Sequence, residues 1–145
     1  MAYRHRGTVI LGVAASDAHA VANQLIAHDL RERGYDVVNL GTCTPISEFA
    51  AAAEEYPDAL AIFIGSLNGH IHEDLRDLSK AKQSGAIRCP VVVGGNLSVG
   101  SDKSAQSHER LFDLGVDAVL TDATEIPSFL SELVETADVQ QRSAS

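Results

Sequence analysis

At 145 residues the chain has room for one domain with a full core and little room for a second. Its 45% hydrophobic and 21% charged residues are those of an ordinary folded chain, and a net charge of −9 spread through helix-like segments disfavours nucleic acid, which needs a clustered basic surface. The start, MAYRHRGTVILGVAASD, holds an apolar run too short for a membrane span and no convincing cleavage region, and Cys43 and Cys89 lack metal-site spacing, so a cytoplasmic protein with no membrane partner is expected.

Thr8 to Ala14 is apolar and β-branched, the pattern of a strand covered on both faces. Ala18 to Arg33 follows with Val21, Leu25, Ile26 and Leu30 at helical spacing, and Gly34 stops it as a C-terminal cap would. The unit then repeats. Asp36 to Leu40 predicts a strand, and Ile46 to Glu55 an Ala-rich helix starting just after Pro45. Ala59 to Ile64 predicts the third strand, with a helix from about His72 to Ser84 stopped by Gly85. Pro90 to Val93 is the fourth, leading into Gly94 and Gly95, with a helix from about Ser104 to Leu114 stopped by Gly115. Asp117 to Leu120 and a helix from about Glu125 to Val134 close the domain, taken as residues 1–136, and the polar residues 137–145 read as a frayed, flexible tail.

Strands alternating with helices indicate a parallel sheet with helices on both faces. Right-handed crossovers and this length favour a flavodoxin-like, Rossmann-like doubly wound α/β sheet of five strands in the order 2-1-3-4-5. Ligands of such sheets bind beyond the carboxyl ends of the strands, near the point where strand order reverses. The polar and Gly-rich segments SDAH, GTCTP, GSLNGH and GGNLSVG all fall at those ends.

The chemistry of these segments narrows the ligand. There is no GxGxxG after the first strand and no GxxxxGK[ST], which disfavours a dinucleotide site and a P-loop. GTCTPIS is the nearest approach to a hydroxyl-rich phosphate loop, but it follows the wrong strand for a flavodoxin. A phosphoaccepting receiver needs a carboxylate after the third strand, where IGSLNG has none. Ser66 as a nucleophile lacks the GxSxG elbow and an orienting third group. His70 and His72 form HxH, readable as a surface metal site or as solvated loop residues, and no histidine pair has HExxH spacing or a Cys partner at zinc spacing. Asp17 and His19, two residues apart where the first strand hands over to the first helix, admit two readings. Ser16 or Asp17 caps the helix, or His19 is a metal ligand whose ring Asp17 holds. One His makes no tight site for a bare ion, so the second reading needs a metal that brings its other ligands, as in a macrocycle.

Asp17 and His19 with the residues around them resemble the DxHxxG motif of cobalamin-binding domains, and the GG of VVVGGN resembles that family's glycines beside the nucleotide tail. The match runs in order through TVILGVAASDAHAVAN, DVVNLG, IGSLNG, VVVGGNLSVG and LFDLGVDAVL, and is nearest to the small (sigma) subunits of glutamate mutases, also called methylaspartate mutases. Only seven residues precede the first strand, which favours such a stand-alone subunit over the capped cobalamin domains of methyltransferases.

The resemblance implies adenosylcobalamin bound with its own base detached, cobalt ligated by His19, and the far ring N–H of His19 held by Asp17. It implies that Ser16, Ala18 and Ala20 lie beside this ligand, with Gly65, Ser66 and Leu67 on one side of a slot for the nucleotide tail and Gly94, Gly95, Asn96, Leu97 and Ser98 on the other. The implied reaction is the radical rearrangement of L-glutamate to (2S,3S)-3-methylaspartate, with the substrate site in a separate large (epsilon) barrel subunit. The sequence departs from the pattern at two places: Ala22 stands at the motif's glycine, and Gly65 stands where SxL begins with Ser. A subunit of another mutase, a corrinoid methyl carrier and an interaction module without cobalamin remain the alternatives.

Overall fold

Short β-branched runs flanked by helices can bury both faces only in the middle layer of a three-layer fold, and that is where they lie. A computed structural model describes residues 7–13, 20–65, 75–94, 112–120 and 125–134. The elements are β1 (Gly7–Val13), α1 (Ala20–Glu32), β2 (Tyr35–Asn39), α2 (Ile46–Glu55), β3 (Ala61–Gly65), α3 (Leu78–Gln83), β4 (Val91–Gly94) and β5 (Ala118–Leu120). Residues 112–114 are helical, as are 126–134. The strands run parallel in the order β2-β1-β3-β4-β5, the order predicted from the alternation of strands and helices.

Alternation along each strand divides the core in two. Ile10, Ile62, Ile64, Val91 and Val93 meet Ile46 and Phe49 of α2 and Leu78 of α3 on one face. Val9, Leu11, Ala61, Phe63 and Val92 meet Ala27 and Leu30 of α1 and Ile126 and Leu130 on the other. Each fully buried Ile, Leu or Phe contributes about 1.5–3 kcal/mol of transfer free energy, so the two clusters hold the layers together. α2 comes especially close: a Cβ at Gly12 would stand 2.8 Å from the Phe49 ring, so the glycine in β1 is what admits Phe49.

The helix stops fall where the glycines predict them, with Gly34, Gly85 and Gly115 all at positive φ. Several expectations are corrected. Leu25 is not on the buried stripe of α1 but 64% exposed, and Asn23 is buried instead. The helix predicted from His72 begins at Leu78, because residues 75–77 form a turn and Asp77 has non-helical ψ near 1°. Residues 72–74 and 104–111 lie outside the described residues, as does the tail 137–145.

Candidate functional site at the carboxyl rim of the sheet

The strand ends build the site from the backbone outward. Gly65 and Gly94, expected as loop residues, are instead the last residues of β3 and β4 and are ladder partners of one another. The same register row continues to Val13 at the end of β1 and to Leu120 in β5. By strand alternation both glycines point to the face that carries α1 and residues 126–134, directly above Phe63 and Val92. Phe63 meets Phe129 edge to face at 6.1 Å, forming an aromatic floor beneath Gly65.

Above that floor the two glycines differ. Among the described residues, a Cβ built on Gly65 would meet nothing nearer than the Gly12 carbonyl oxygen at 3.9 Å, and one on Gly94 would meet the Leu120 carbonyl oxygen at 3.3 Å. Among the described residues, two adjacent strands thus end in a shallow cradle that is open over Gly65 and tight over Gly94, where a Cβ would press on the Leu120 carbonyl, a shape that lets a ligand approach the backbone.

The segment after β2 closes the side of this rim. The Leu40 N–H donates to the Leu11 carbonyl at 2.8 Å, the Val13 N–H to the Gly41 carbonyl at 2.9 Å, and the Thr44 N–H to the Val13 carbonyl at 2.9 Å. Residues 40–44 therefore extend the ladder beyond β2 and hold the last residue of β1. Thr44, 2% exposed, turns its hydroxyl to the Leu40 and Gly41 carbonyls at 3.4 and 3.2 Å, so the segment that suggested a phosphate loop spends this hydroxyl on its own backbone. Cys43 is exposed in the bend at φ 55°.

A polar pair joins this segment to α1. The Asn23 Nδ2 donates to the Asn39 Oδ1 at 2.6 Å, and the Gly41 N–H donates to the same oxygen at 2.9 Å. Neither Asn was singled out from the sequence, yet there was a signal. An Asn inside the stripe AVANQLIA and an Asn closing the strand DVVNL are each unfavourable by propensity, and mutual hydrogen bonding is a reason to keep both.

Of the residues expected at the site, the structure brings Gly65 and Gly94 together and places Ala20 at the start of α1. Ser16, Asp17, Ala18, His19, Ser66, Leu67, Gly95, Asn96, Leu97 and Ser98 lie outside the described residues, as do His70, His72, His108 and the side chain of Ala22. In the sequence, residues 14–19 join the end of β1 to the start of α1, while Ser66 and Gly95 directly follow the paired glycines. Among the described residues no cluster of His, Cys, Asp and Glu could hold a metal ion, and no helix is long and apolar enough to cross a membrane.

Residues 7–128 match the model of the B12 binding domain. The glutamate mutase sigma subunit of Halobacterium salinarum is 38% identical over 94% of this chain and 91% of its own length, and that of Treponema denticola is 34% identical over 86% and 90%. Among solved structures, the methanol:cobalamin methyltransferase complex of Methanosarcina barkeri superposes with a TM-score of 0.71 at 25% identity, covering 90% of this chain and 47% of that one. The chain thus spans about half the length of that methyltransferase chain. The match across both halves of the sheet and the extent of the sigma-subunit likeness lead to one assignment: the chain belongs to the B12 binding domain family and, within it, to the glutamate mutase sigma subunits.

Proposed function

We propose that this chain is the cobalamin-binding small subunit of an adenosylcobalamin-dependent glutamate mutase, a cytoplasmic isomerase that interconverts L-glutamate and (2S,3S)-3-methylaspartate with a large barrel subunit. The observation that carries this reading is the paired ending of β3 and β4 in Gly65 and Gly94, over a floor of Phe63 and Val92. The cradle there suits a flat, extended ligand and would be filled by ordinary side chains. The chain's membership among sigma subunits supports the same cofactor and reaction class.

When bound, adenosylcobalamin supplies a weak cobalt–carbon bond for radical chemistry. The chain's own residues do the holding. His19 would ligate the cobalt, and Asp17 would accept a hydrogen bond from the other ring nitrogen, which would fix the tautomer and strengthen the donor. Ser16, Ala18 and Ala20 flank them. Gly65, Ser66 and Leu67 line one side of the nucleotide slot, and Gly94, Gly95, Asn96, Leu97 and Ser98 the other. Substrate binding falls to the large subunit, so this chain by itself is expected to be inactive. The likeness to a methyltransferase complex at 25% identity favours a corrinoid methyl carrier as the second reading.

The deciding experiment is the electron paramagnetic resonance spectrum of the protein with cob(II)alamin, prepared with natural and with 15N-labelled histidine. A nitrogen splitting that changes on labelling, and that is lost in His19→Ala, is the expected result. An unchanged splitting in the wild type overturns histidine ligation. Turnover of glutamate on adding a large mutase subunit then separates the isomerase from the methyl carrier.

A further inference from the structure

Asn23 stands in the first turn of α1, on its buried side, and is 4% exposed. An amide there is costly unless it is hydrogen-bonded, and here it is bound to Asn39. The Asn39 Oδ1 accepts two N–H groups at once, from Asn23 at 2.6 Å and from Gly41 at 2.9 Å. One oxygen therefore ties together the start of α1, the last residue of β2 and the segment that follows β2. That segment is itself pinned to the end of β1 by the Val13 and Thr44 backbone bonds, both 2.9 Å.

The rest of α1 is held differently. At its far end, the bond to β2 among the described residues is the long, exposed one from the Arg31 guanidinium to the Val37 carbonyl at 3.3 Å. Ala27 and Leu30 pack against β1 and β2 through apolar contacts, which tolerate small slides and rotations of a helix. The Asn23–Asn39 bond does not, because a shift of one residue along α1 would carry Asn23 about 100° around the axis and strand a buried amide. The bond thus sets the height and rotation of the first turn against the sheet rim. His19 precedes Asn23 by four residues and is covalently joined to Ala20, where α1 begins.

We propose that Asn23 and Asn39 are positioning residues for cobalt ligation: by locking the first turn of α1 to the β1–β2 rim, they fix where the chain presents His19. This inference rests on the cobalamin reading above and deepens it. Its test uses the full-length protein as wild type, Asn23→Ala, Asn39→Ala and Asn39→Asp, each titrated with cob(II)alamin and measured with and without 15N-histidine, alongside thermal unfolding without cofactor. Asn23→Ala leaves the Asn39–Gly41 bond intact and places a better helix former in α1, so it is expected to fold and to melt close to wild type. It nevertheless binds cobalamin roughly tenfold more weakly, the effect typical of losing a group that orients a metal ligand, and a smaller share of its spectrum responds to histidine labelling. Asn39→Ala behaves likewise, while Asn39→Asp, which keeps an oxygen for both N–H donors, recovers most of the loss.

Unchanged affinity and unchanged histidine coupling in Asn23→Ala overturn the inference while leaving the cobalamin reading in place. Missing histidine coupling in the wild type overturns both. If Asn39→Ala does not fold, Asn23→Ala decides by itself.

Discussion

Where β4 and β5 begin, the Asp117 carboxylate accepts the Val91 N–H at 2.8 Å and pairs with Lys82 of α3, while the Asp117 N–H returns a bond to the Val91 carbonyl at 2.8 Å. Where β3 and β4 end, the ladder partners are Gly65 and Gly94, with no side chains to offer. At β4 and β5 one rim of the sheet is thus closed by the chain's own charged groups, and the other rim carries the paired glycines. The difference teaches how one sheet divides its labour. The start of β4 is fixed by a side chain to backbone bond that needs no ligand, so the strand ends opposite it are free to be shaped for one.

The sharpest way to break this contrast is to fill the cradle. Gly65→Val adds a β-branched side chain to a strand position with ordinary φ, so the apo fold is expected to stay as stable or gain slightly. Displacing a ligand by that volume resembles overpacking, at about 1–3 kcal/mol, and so about five- to 150-fold in affinity. Isothermal titration with cobalamin beside urea unfolding measures both quantities. Equal affinity for variant and wild type would show that the paired glycines do not border the ligand.

The opposite rim should answer in the opposite way. Asp117→Ala leaves the Val91 N–H without its carboxylate and removes the pair with Lys82, which is partly exposed and contributes little. A loss of about 2 kcal/mol of stability is expected, chiefly from the unpaired N–H, with cobalamin affinity unaltered. Asp117→Asn, which keeps an acceptor oxygen, should lose less. A large affinity change in Asp117→Ala, without loss of stability, would erase the distinction between the rims.

Much of this architecture could be read from the residues, and the misses have a physical pattern. Strand order followed from alternating β-branched runs and helical stripes, and Ile46–Glu55 was predicted to the residue because Pro45 marks its start and Tyr56-Pro57 lies just beyond its end. Gly65 and Gly94 were expected at the site and placed in loops, since a glycine that ends a strand and one that begins a turn look alike without the neighbouring strand. Leu25 was misplaced and Asn23 was passed over. Hydropathy assigns Leu25 to the core, whereas the rotation of α1 is set partly by a polar bond to Asn39, sixteen residues away in sequence. Long-range polar pairing leaves no periodic trace, which is why the strand order was legible and the Asn23–Asn39 bond was not.

The smallest expected effect concerns Cys89, beside the closed rim. Burial pushes its thiol above the ordinary range, and Asp117 adds to this, while a backbone hydrogen bond and the Lys82 charge oppose it. Because the folded state holds the thiol proton more tightly than the unfolded chain does, stability is intact below the ordinary thiol range and falls as pH rises through the raised value. Cys89 retains some solvent contact, so the loss should stay below about 1 kcal/mol. Urea unfolding across the alkaline range should show a steeper decline for wild type than for Cys89→Ala, and iodoacetamide at neutral pH should modify exposed Cys43 first. Equal slopes would mean that the closed rim admits water to Cys89 as freely as the unfolded chain does. Because Lys82 and Asp117 act on this thiol with opposite signs, Asp117→Asn should also lower its apparent pKa, linking the smallest effect to the bonds that close the rim.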